Sequence, residues 1–547
     1  MRRIVSLLFI GSFAAQAAAQ TAPDTWLVSF TDKDNTPYSL SDPSAFLSER
    51  AIQRRQAQGI SLDALDLPVD PAYIAQVLAQ GDVQLVNRSK WFNTITIRTT
   101  DEDALVAIAA LPFVSGMRGA RSATVPSPPI EKFGPMPGAG PRGGDEEEYG
   151  ASFHQVAMMN GQLLHGLEAR GEGMVIGVLD SGFLGVDVLP GFESLRQREG
   201  ILFTRDMAEH DGDVYLDHWH GRSVLSCMAV EMPGVYMGTA PRADYVLLRT
   251  EVAAMEYVVE EDHWASGAEL CDSLGVDIIN TSLGYTTFDD PEQDHSYEDL
   301  DGVTTRISMA SGIAASRGMI PVTSAGNQGA SDWYHISAPA DAIGILAVGA
   351  VNADGDPAWF SGHGPSADGR VKPDVAAMGQ GTLALGIDGL EVQPLNGTSF
   401  SAPLVAGLVA CLWQLHPQRT ATDIMEAVRQ SASHYNDPQP QLGHGIPDFM
   451  SAHAWLTLTT QSTPVAATDL AVFPNPFHDR ITIIATGLQG LVHIELFDAL
   501  GRCAWRKDAM ADGVITVGDL DRLAPGSFVL RLRHEGSSMT RTLVKTW

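Results

Sequence analysis

Four short segments of this 547-residue chain carry side chains that can do chemistry together. Val178-Leu179-Asp180-Ser181-Gly182 puts a carboxylate at the end of an apolar run. His220-Gly221-Arg222-Ser223-Val224 offers an imidazole just ahead of a helical stretch expected over Val224 to Val230. Ser324-Ala325-Gly326-Asn327 ends a second apolar run in an amide, and Asn396-Gly397-Thr398-Ser399-Phe400-Ser401-Ala402-Pro403 sets Ser399 at the mouth of an apolar helix expected over Leu404 to Leu415. A serine hydroxyl is a weak nucleophile and needs a base within hydrogen-bond reach. His220 can take its proton and return it to a leaving amine. Asp180 would hold the imidazole tautomer and stabilise the imidazolium. The Ser399 N–H at a helix N-terminus favours a developing oxyanion, with Asn327 as second donor. Taken singly, each segment has a blander reading: a structural strand-end acid, a surface or core histidine, a Gly-Thr-Ser helix cap. In the order Asp, His, Asn, Ser they compose one nucleophilic-serine site.

The elements that must hold these groups are legible around them. From about 150 to 457, unbroken apolar runs alternate with helix-length stretches. The runs are Met174 to Leu179, Tyr245 to Leu248, Val276 to Asn280, Met319 to Thr323 and Ile343 to Val348. Strands apolar on both sides imply a parallel sheet covered by helices on both faces, with function at the strands' carboxyl ends.

Upstream, Trp26 to Phe30 and Thr94 to Arg98 alternate as half-buried strands. Between and after them, helices are expected over Ser44 to Ala57, with Phe46, Leu47, Ala51 and Ile52 on one side, Pro71 to Ala79, and Asp103 to Leu111. Residues 20–120 therefore read as a small α+β domain. Six prolines and five glycines between positions 126 and 144, then Asp145-Glu146-Glu147-Glu148, mark 121–149 as an exposed linker of the kind proteases nick. A polar linker over 458–468 leads to residues 469–547, where period-2 alternation, such as Val492-His493-Ile494-Glu495-Leu496, predicts about seven short strands in a β-sandwich.

Composition narrows the function. The chain holds 66 acidic and 35 basic residues, a formal charge of −31. That surplus argues against nucleic-acid binding or a basic membrane-surface helix. Residues 461–547 carry nine of each sign, so the whole excess lies upstream. Arg2, Arg3, an apolar stretch from Ile4 to Ala15 and the small residues Ala17-Ala18-Ala19 describe a cleavable secretory signal over 1–19. No other run reaches the ~20 residues of a transmembrane segment. Cys227, Cys271, Cys411 and Cys503 are too few for a disulfide scaffold; three sit in apolar helical contexts and read as buried thiols, with one bridge left open.

The central region resembles the subtilisin-like serine proteases, the subtilases of peptidase family S8, over about 300 residues. Asp, His, Ser is that family's chain order. Gly238-Thr239-Ala240-Pro241-Arg242-Ala243, Asn280-Thr281-Ser282-Leu283-Gly284, Phe360-Ser361-Gly362-His363-Gly364-Pro365 and Lys372-Pro373-Asp374-Val375 match further family motifs. The resemblance implies an Asp180, His220, Ser399 triad and an Asn327 oxyanion donor. It also implies that Ser282, Leu283 and Gly284 pair with an extended peptide, opposite Ser324, Ala325 and Gly326 across the specificity pocket. Gly284 and Gly326 are expected to leave room for a sizeable apolar P1 side chain. One departure is Arg222, where the family usually has Thr; with the triad groups intact, it is expected to point outward.

The flanks resemble a narrower group, Bacteroidetes-type subtilases exported by the type IX system. Phe30-Thr31-Asp32-Lys33, Phe46-Leu47-Ser48-Glu49-Arg50-Ala51 and Ser89-Lys90-Trp91 are similar to their propeptide. Phe473-Pro474-Asn475-Pro476-Phe477, Leu500-Gly501-Arg502 and Leu523-Ala524-Pro525-Gly526-Ser527-Phe528 are similar to their sorting domain. The implied partners are protein or peptide substrates, the chain's own propeptide and the type IX machinery. The implied location, after passage through the periplasm, is the medium or the outer-membrane surface.

Other chemistries fit less well. The acidic run Asp289 to Asp301, with seven carboxylates and no Lys or Arg, reads as a solvated insertion before a calcium loop. No cofactor is expected to be required, and calcium is left open without a site. Asp217-His218-Trp219-His220 lacks the partners of a zinc site. Ser399 sits in Gly-Thr-Ser-Phe-Ser, not the α/β-hydrolase G-x-S-x-G, and His220 and Asn327 stand where sedolisins use carboxylic acids. The remaining alternative is a catalytically inactive subtilase-like surface protein that binds peptides or glycans.

Overall fold

The computed structural model describes residues 23–122, 148–209, 212–389, 391–458, 470–473, 477–498, 502–518, 520–534 and 537–546. The expected signal peptide, most of the 121–149 linker, nearly all of the 458–468 linker and parts of the sorting motifs lie outside these residues. Contacts divide the chain into two compact units, Met1–Leu456 and Thr457–Trp547.

The first unit begins with four antiparallel strands, β1 (Pro23–Phe30), β2 (Gln84–Ser89), β3 (Thr94–Arg98) and β4 (Val114–Ser122), in the order β2-β3-β1-β4. Helices α1 (Glu49–Ala57), α2 (Pro71–Leu78) and α3 (Glu102–Ala109) accompany them. Val28, Phe30, Ile95 and Ile97 pack against Tyr73, Ile74, Val77 and Ile108. The first helix starts later than its apolar spacing predicts, because the Ser48 hydroxyl accepts the Ala51 N–H and caps it there.

The rest of that unit is built on seven parallel strands: β5 (Val175–Asp180), β6 (Ile201–Asp206), β7 (Asp244–Arg249), β8 (Ile278–Thr281), β9 (Ile320–Ser324), β10 (Leu346–Val351) and β11 (Val375–Met378). Their order is β11-β10-β9-β8-β5-β7-β6. Every residue of β5 is buried, as continuous apolar runs require when both faces are covered. One face packs on α4 (His220–Ala229) and α7 (Thr398–Leu415), the other on α5 (Val259–Leu274) and α6 (Arg306–Ser316). The chain leaves β5 toward β6 and β7 on one side and resumes with β8 on the other. This reversal is a topological switch point, where α/β sheets open a crevice beyond the strand ends. Helix α7 is long and apolar enough to cross a membrane, yet 89% of it is buried in this core.

Helices α1, α5 and α6 join the N-terminal domain to the sheet. Asp272 of α5 takes Arg54 at 2.6 Å, Arg55 at 2.8 Å and Lys90 at 2.9 Å. Glu269 accepts the Ser89 hydroxyl at 2.5 Å and the backbone N–H of Lys90 and Trp91 at 2.6 and 3.1 Å. Arg50 pairs with Asp277, and Arg317 with Asp63. All four cysteines are unbridged: Cys227, Cys271 and Cys411 are buried and Cys503 is exposed.

The second unit holds five antiparallel strands among the described residues, not about seven: Leu470–Phe473, Ile481–Asp498, Cys503–Val517, Gly526–His534 and Ser537–Lys545. Val492–Leu496, expected as a short strand of its own, belongs to one that begins at Ile481. A register shift between Ile484 and Gln489 lets that 18-residue strand continue where the sequence signals a turn.

Candidate active site

Asp180 closes β5 at the switch point and is fully buried. Its Oδ1 accepts the Ser181 N–H at 2.7 Å and the His220 Nδ1–H at 2.8 Å. His220 is the first residue of α4, four residues ahead of the expected start, so the helix itself carries the imidazole. Close approach of α4 to β5 requires Gly221. A Cβ there would lie 2.4 Å from the Gly182 carbonyl oxygen and 2.9 Å from Asp180 Cβ. With Nδ1 spent on the carboxylate, Nε2 is the ring's basic atom.

Ser399 is the second residue of α7, behind Gly397, whose φ of +148° only glycine adopts without strain. The helix begins six residues earlier than expected and runs through Pro403. A proline has no N–H to give the carbonyl four residues back, here that of Ser399. The Ser282 hydroxyl supplies the missing donor at 2.8 Å, and the Ser399 Oγ in turn donates to the Ser282 carbonyl at 3.2 Å. Sequence reasoning placed Ser282 on the substrate strand and missed this anchoring role. The pairing of Pro403 with a buried hydroxyl is invisible across 121 positions.

Asn327 follows β9 and is exposed. Its Oδ1 accepts the Thr398 N–H at 2.8 Å and the Thr398 hydroxyl at 2.9 Å. Those bonds fix the amide so that Nδ2 is presented beside Gly397, at 3.6 Å from where a Cβ would stand. A pocket of about 260 Å³ opens beside Ser399, with Ser282, Leu283 and Gly284 on one wall and Ser324, Gly326 and Asn327 on the other. The Ser324 hydroxyl donates to the Leu283 carbonyl at 3.0 Å and ties the walls together. Ala325 does not line the pocket: its methyl packs in the core, and its N–H and carbonyl are taken by Val348 and Ser337.

Residues 171–446 match the model of the subtilase family of S8 peptidases. The chain belongs to the subtilase family. It is 27% identical over 320 residues to serine protease AprX of Bacillus subtilis (strain 168), covering 53% of this chain and 67% of that one. With subtilisin E of the same organism it shares 26% over 291 residues, covering 52% and 68%. Among solved structures, MycP1 from the ESX-1 type VII secretion system aligns with a TM-score of 0.44 at 22% identity, over 60% of this chain and 94% of that one. Residues 25–132 of this subtilase match the S8 propeptide domain of Bacteroidota. Residues 471–546 match the secretion system C-terminal sorting domain. The subtilase is therefore a serine protease with its own propeptide and an export address.

Arg222 does not point outward. It is 2% exposed, and its guanidinium donates to the carbonyls of Leu184 at 3.1 Å and of Gly386 and Ile387 at 2.6 Å each. Burial lowers its pKa, with Asp388 opposing. In this subtilase, the bulk that replaces Thr pins a distant loop. The acidic run also spends its carboxylates locally, with Asp289, Asp294, Asp299 and Asp301 each accepting a backbone N–H.

Proposed function

We propose that the protein is an exported serine endopeptidase, made as a zymogen, that cleaves protein substrates through Asp180, His220 and Ser399. The observation that carries this reading is the 2.8 Å contact of Asp180 Oδ1 with His220 Nδ1, beside a helix that opens on Ser399. In the first step Ser399 Oγ bonds to the scissile carbonyl carbon as its proton passes to His220 Nε2. The carbonyl π electrons move to oxygen, which the Ser399 N–H and Asn327 Nδ2 stabilise. Collapse breaks the C–N bond, and His220 returns the proton to the leaving amine. Water then attacks the acyl-enzyme with His220 again as base, releasing the acid and restoring Ser399. No cofactor enters these steps.

The prosegment would assist folding and block the cleft until the Pro/Gly linker is cut, and the sorting domain would direct the chain to the medium or the outer-membrane surface. Labelling of the matured protein with a fluorophosphonate, followed by mass spectrometry, tests the site. The expected result is an adduct on Ser399 that disappears in His220→Ala. A folded, linker-cleaved protein that takes no label would instead support an inactive, peptide-binding subtilase relative.

A further inference from the structure

The pocket beside Ser399 is charged, and peptide cleavage as such makes no use of that charge. Its lining includes Glu251 and Glu256 but no lysine, arginine or histidine. Glu251 is 1% exposed and accepts the hydroxyl of Tyr285, a phenol that burial and then the Glu251 charge keep protonated. Behind them Glu260, fixed by the backbone N–H of Val252 at 2.8 Å and of Tyr257 at 3.3 Å, brings a third carboxylate. Oxygens of all three lie within 4.8 Å of one another.

A second feature of the same pocket is independent of these acids. Ser337 Oγ is fully buried and has no hydrogen-bond partner among the described residues. A Cβ on Gly284 would stand 2.2 Å from it, and one on Gly326 2.6 Å. The hydroxyl therefore lies between the two glycine walls, turned toward the space they leave. Clustered buried carboxylates disfavour one another unless a cation or proton is shared among them, and a buried unpartnered hydroxyl costs free energy in the same way. An apolar side chain entering here would take water from the half-buried Glu256 and offer the Ser337 hydroxyl no partner. A lysine or arginine brings an apolar stem for the walls and a charged tip for the acids.

Resting on the endopeptidase reading, we propose that the pocket selects substrates with a basic side chain, lysine or arginine, on the acyl side of the scissile bond. Glu251 and Glu256 accept its charge and Ser337 Oγ adds a further acceptor. This reverses the apolar preference that Gly284 and Gly326 predict from sequence.

The test uses the matured protein, its active sites counted by fluorophosphonate. Fluorogenic peptides carry Lys, Arg, Leu or Phe in turn at each of the four positions before the cleaved bond. At one position or more, Lys and Arg should exceed Leu and Phe in kcat/KM by about 10- to 100-fold, the range for a hydrogen-bonded charge. That ratio should shrink toward unity in Glu251→Gln/Glu256→Gln, and partway in Glu256→Gln, whose half-buried site tolerates the change if the double variant does not fold. A labelled enzyme that prefers Leu or Phe, or a basic preference that both variants leave intact, overturns the proposal. So does calcium binding that the double variant loses in an enzyme without basic preference, which would make the carboxylates a cation site. Absence of label on wild type would instead remove the endopeptidase reading itself.

Discussion

One protease-domain carboxylate gathers three prosegment cations, and removing its charge tests what holds the zymogen closed. Asp272 is fully buried and takes Arg54, Arg55 and Lys90 at 2.6–2.9 Å. Asp272→Asn keeps the shape and strips the charge. Arg55 retains Asp66 at 2.8 Å, whereas Arg54 and Lys90 are left facing a neutral amide. Breaking a buried ion pair by removing one partner costs about 3–5 kcal/mol, which corresponds to about 10²- to 10⁴-fold in affinity. The second partner of Arg55 places the expectation in the lower half of that range. The assay is inhibition of matured enzyme by prosegment added in trans, wild type against Asp272→Asn, at equal fluorophosphonate-counted active sites. An unchanged inhibition constant would refute the reasoning and leave apolar contact as the main hold.

The same carboxylate fixes a pH dependence. Burial alone would raise its pKa, but Lys90, Arg54 and Arg55 outweigh it, and Asp272 sits at about 2 against an ordinary 3.8. A carboxyl lowered on docking contributes fully above its ordinary pKa and is lost only as pH falls through the lowered one. Glu269 works in the other sense: burial raises it against the pull of Lys90, so its charged form is penalised as pH rises. Prosegment inhibition should therefore hold or tighten from pH 8 to pH 5 and collapse only in strong acid. A tenfold loss between pH 7 and pH 5 would contradict the assignment.

Three further outcomes follow from the site. Ser282→Ala strands the Ser399 carbonyl beside Pro403 and should cost about 1–3 kcal/mol in chemical unfolding. Because an alanine at 403 restores the helical N–H, Ser282→Ala/Pro403→Ala should regain part of that loss. Asn327→Ala should lower kcat by about 10²–10³ with little change in KM, the usual range for one oxyanion donor. Arg222→Met abandons three carbonyls and should lower unfolding stability by about 1.5–3 kcal/mol, while the pH profile of kcat/KM stays in place.

The parts of this fold that a linear reading recovers are those with local causes. β5, β7, β9 and β10 announce themselves as unbroken apolar runs, and Asp180 and Asn327 sit where such runs end. Boundaries governed by distant partners are less legible. Pro403 argues locally against a helix that begins at Thr398, and only the Ser282 hydroxyl, 121 positions upstream, makes that start tolerable. Arg54 and Arg55 lie on the buried side of α1 although its apolar spacing nominates Ala51 and Ile52, because their partner Asp272 belongs to another domain. Arg222 reads as a surface cation until the carbonyls of Gly386 and Ile387 close over it. Glu251 and Glu256 carry no pattern at all, since their meaning depends on Gly284 and Ser337 lying across the same pocket.

The acidic surplus then has a structural account that its sign alone did not supply. Of the −31 formal charge, none lies in residues 461–547, and several of the upstream carboxylates stand where a cation arrives from another segment. Asp272 and Asp277 receive arginines and a lysine of the prosegment. Helix α5 carries Asp272 and Glu269 near its C-terminal end and Glu260, behind the pocket, at its start. A protease domain that meets its prosegment through buried acids is stable alone only if those acids regain water when the prosegment leaves. Glu251 and Glu256 instead line the pocket beside Ser399. The counter-charge proposed for them is a substrate side chain, whereas that of Asp272 comes from the prosegment.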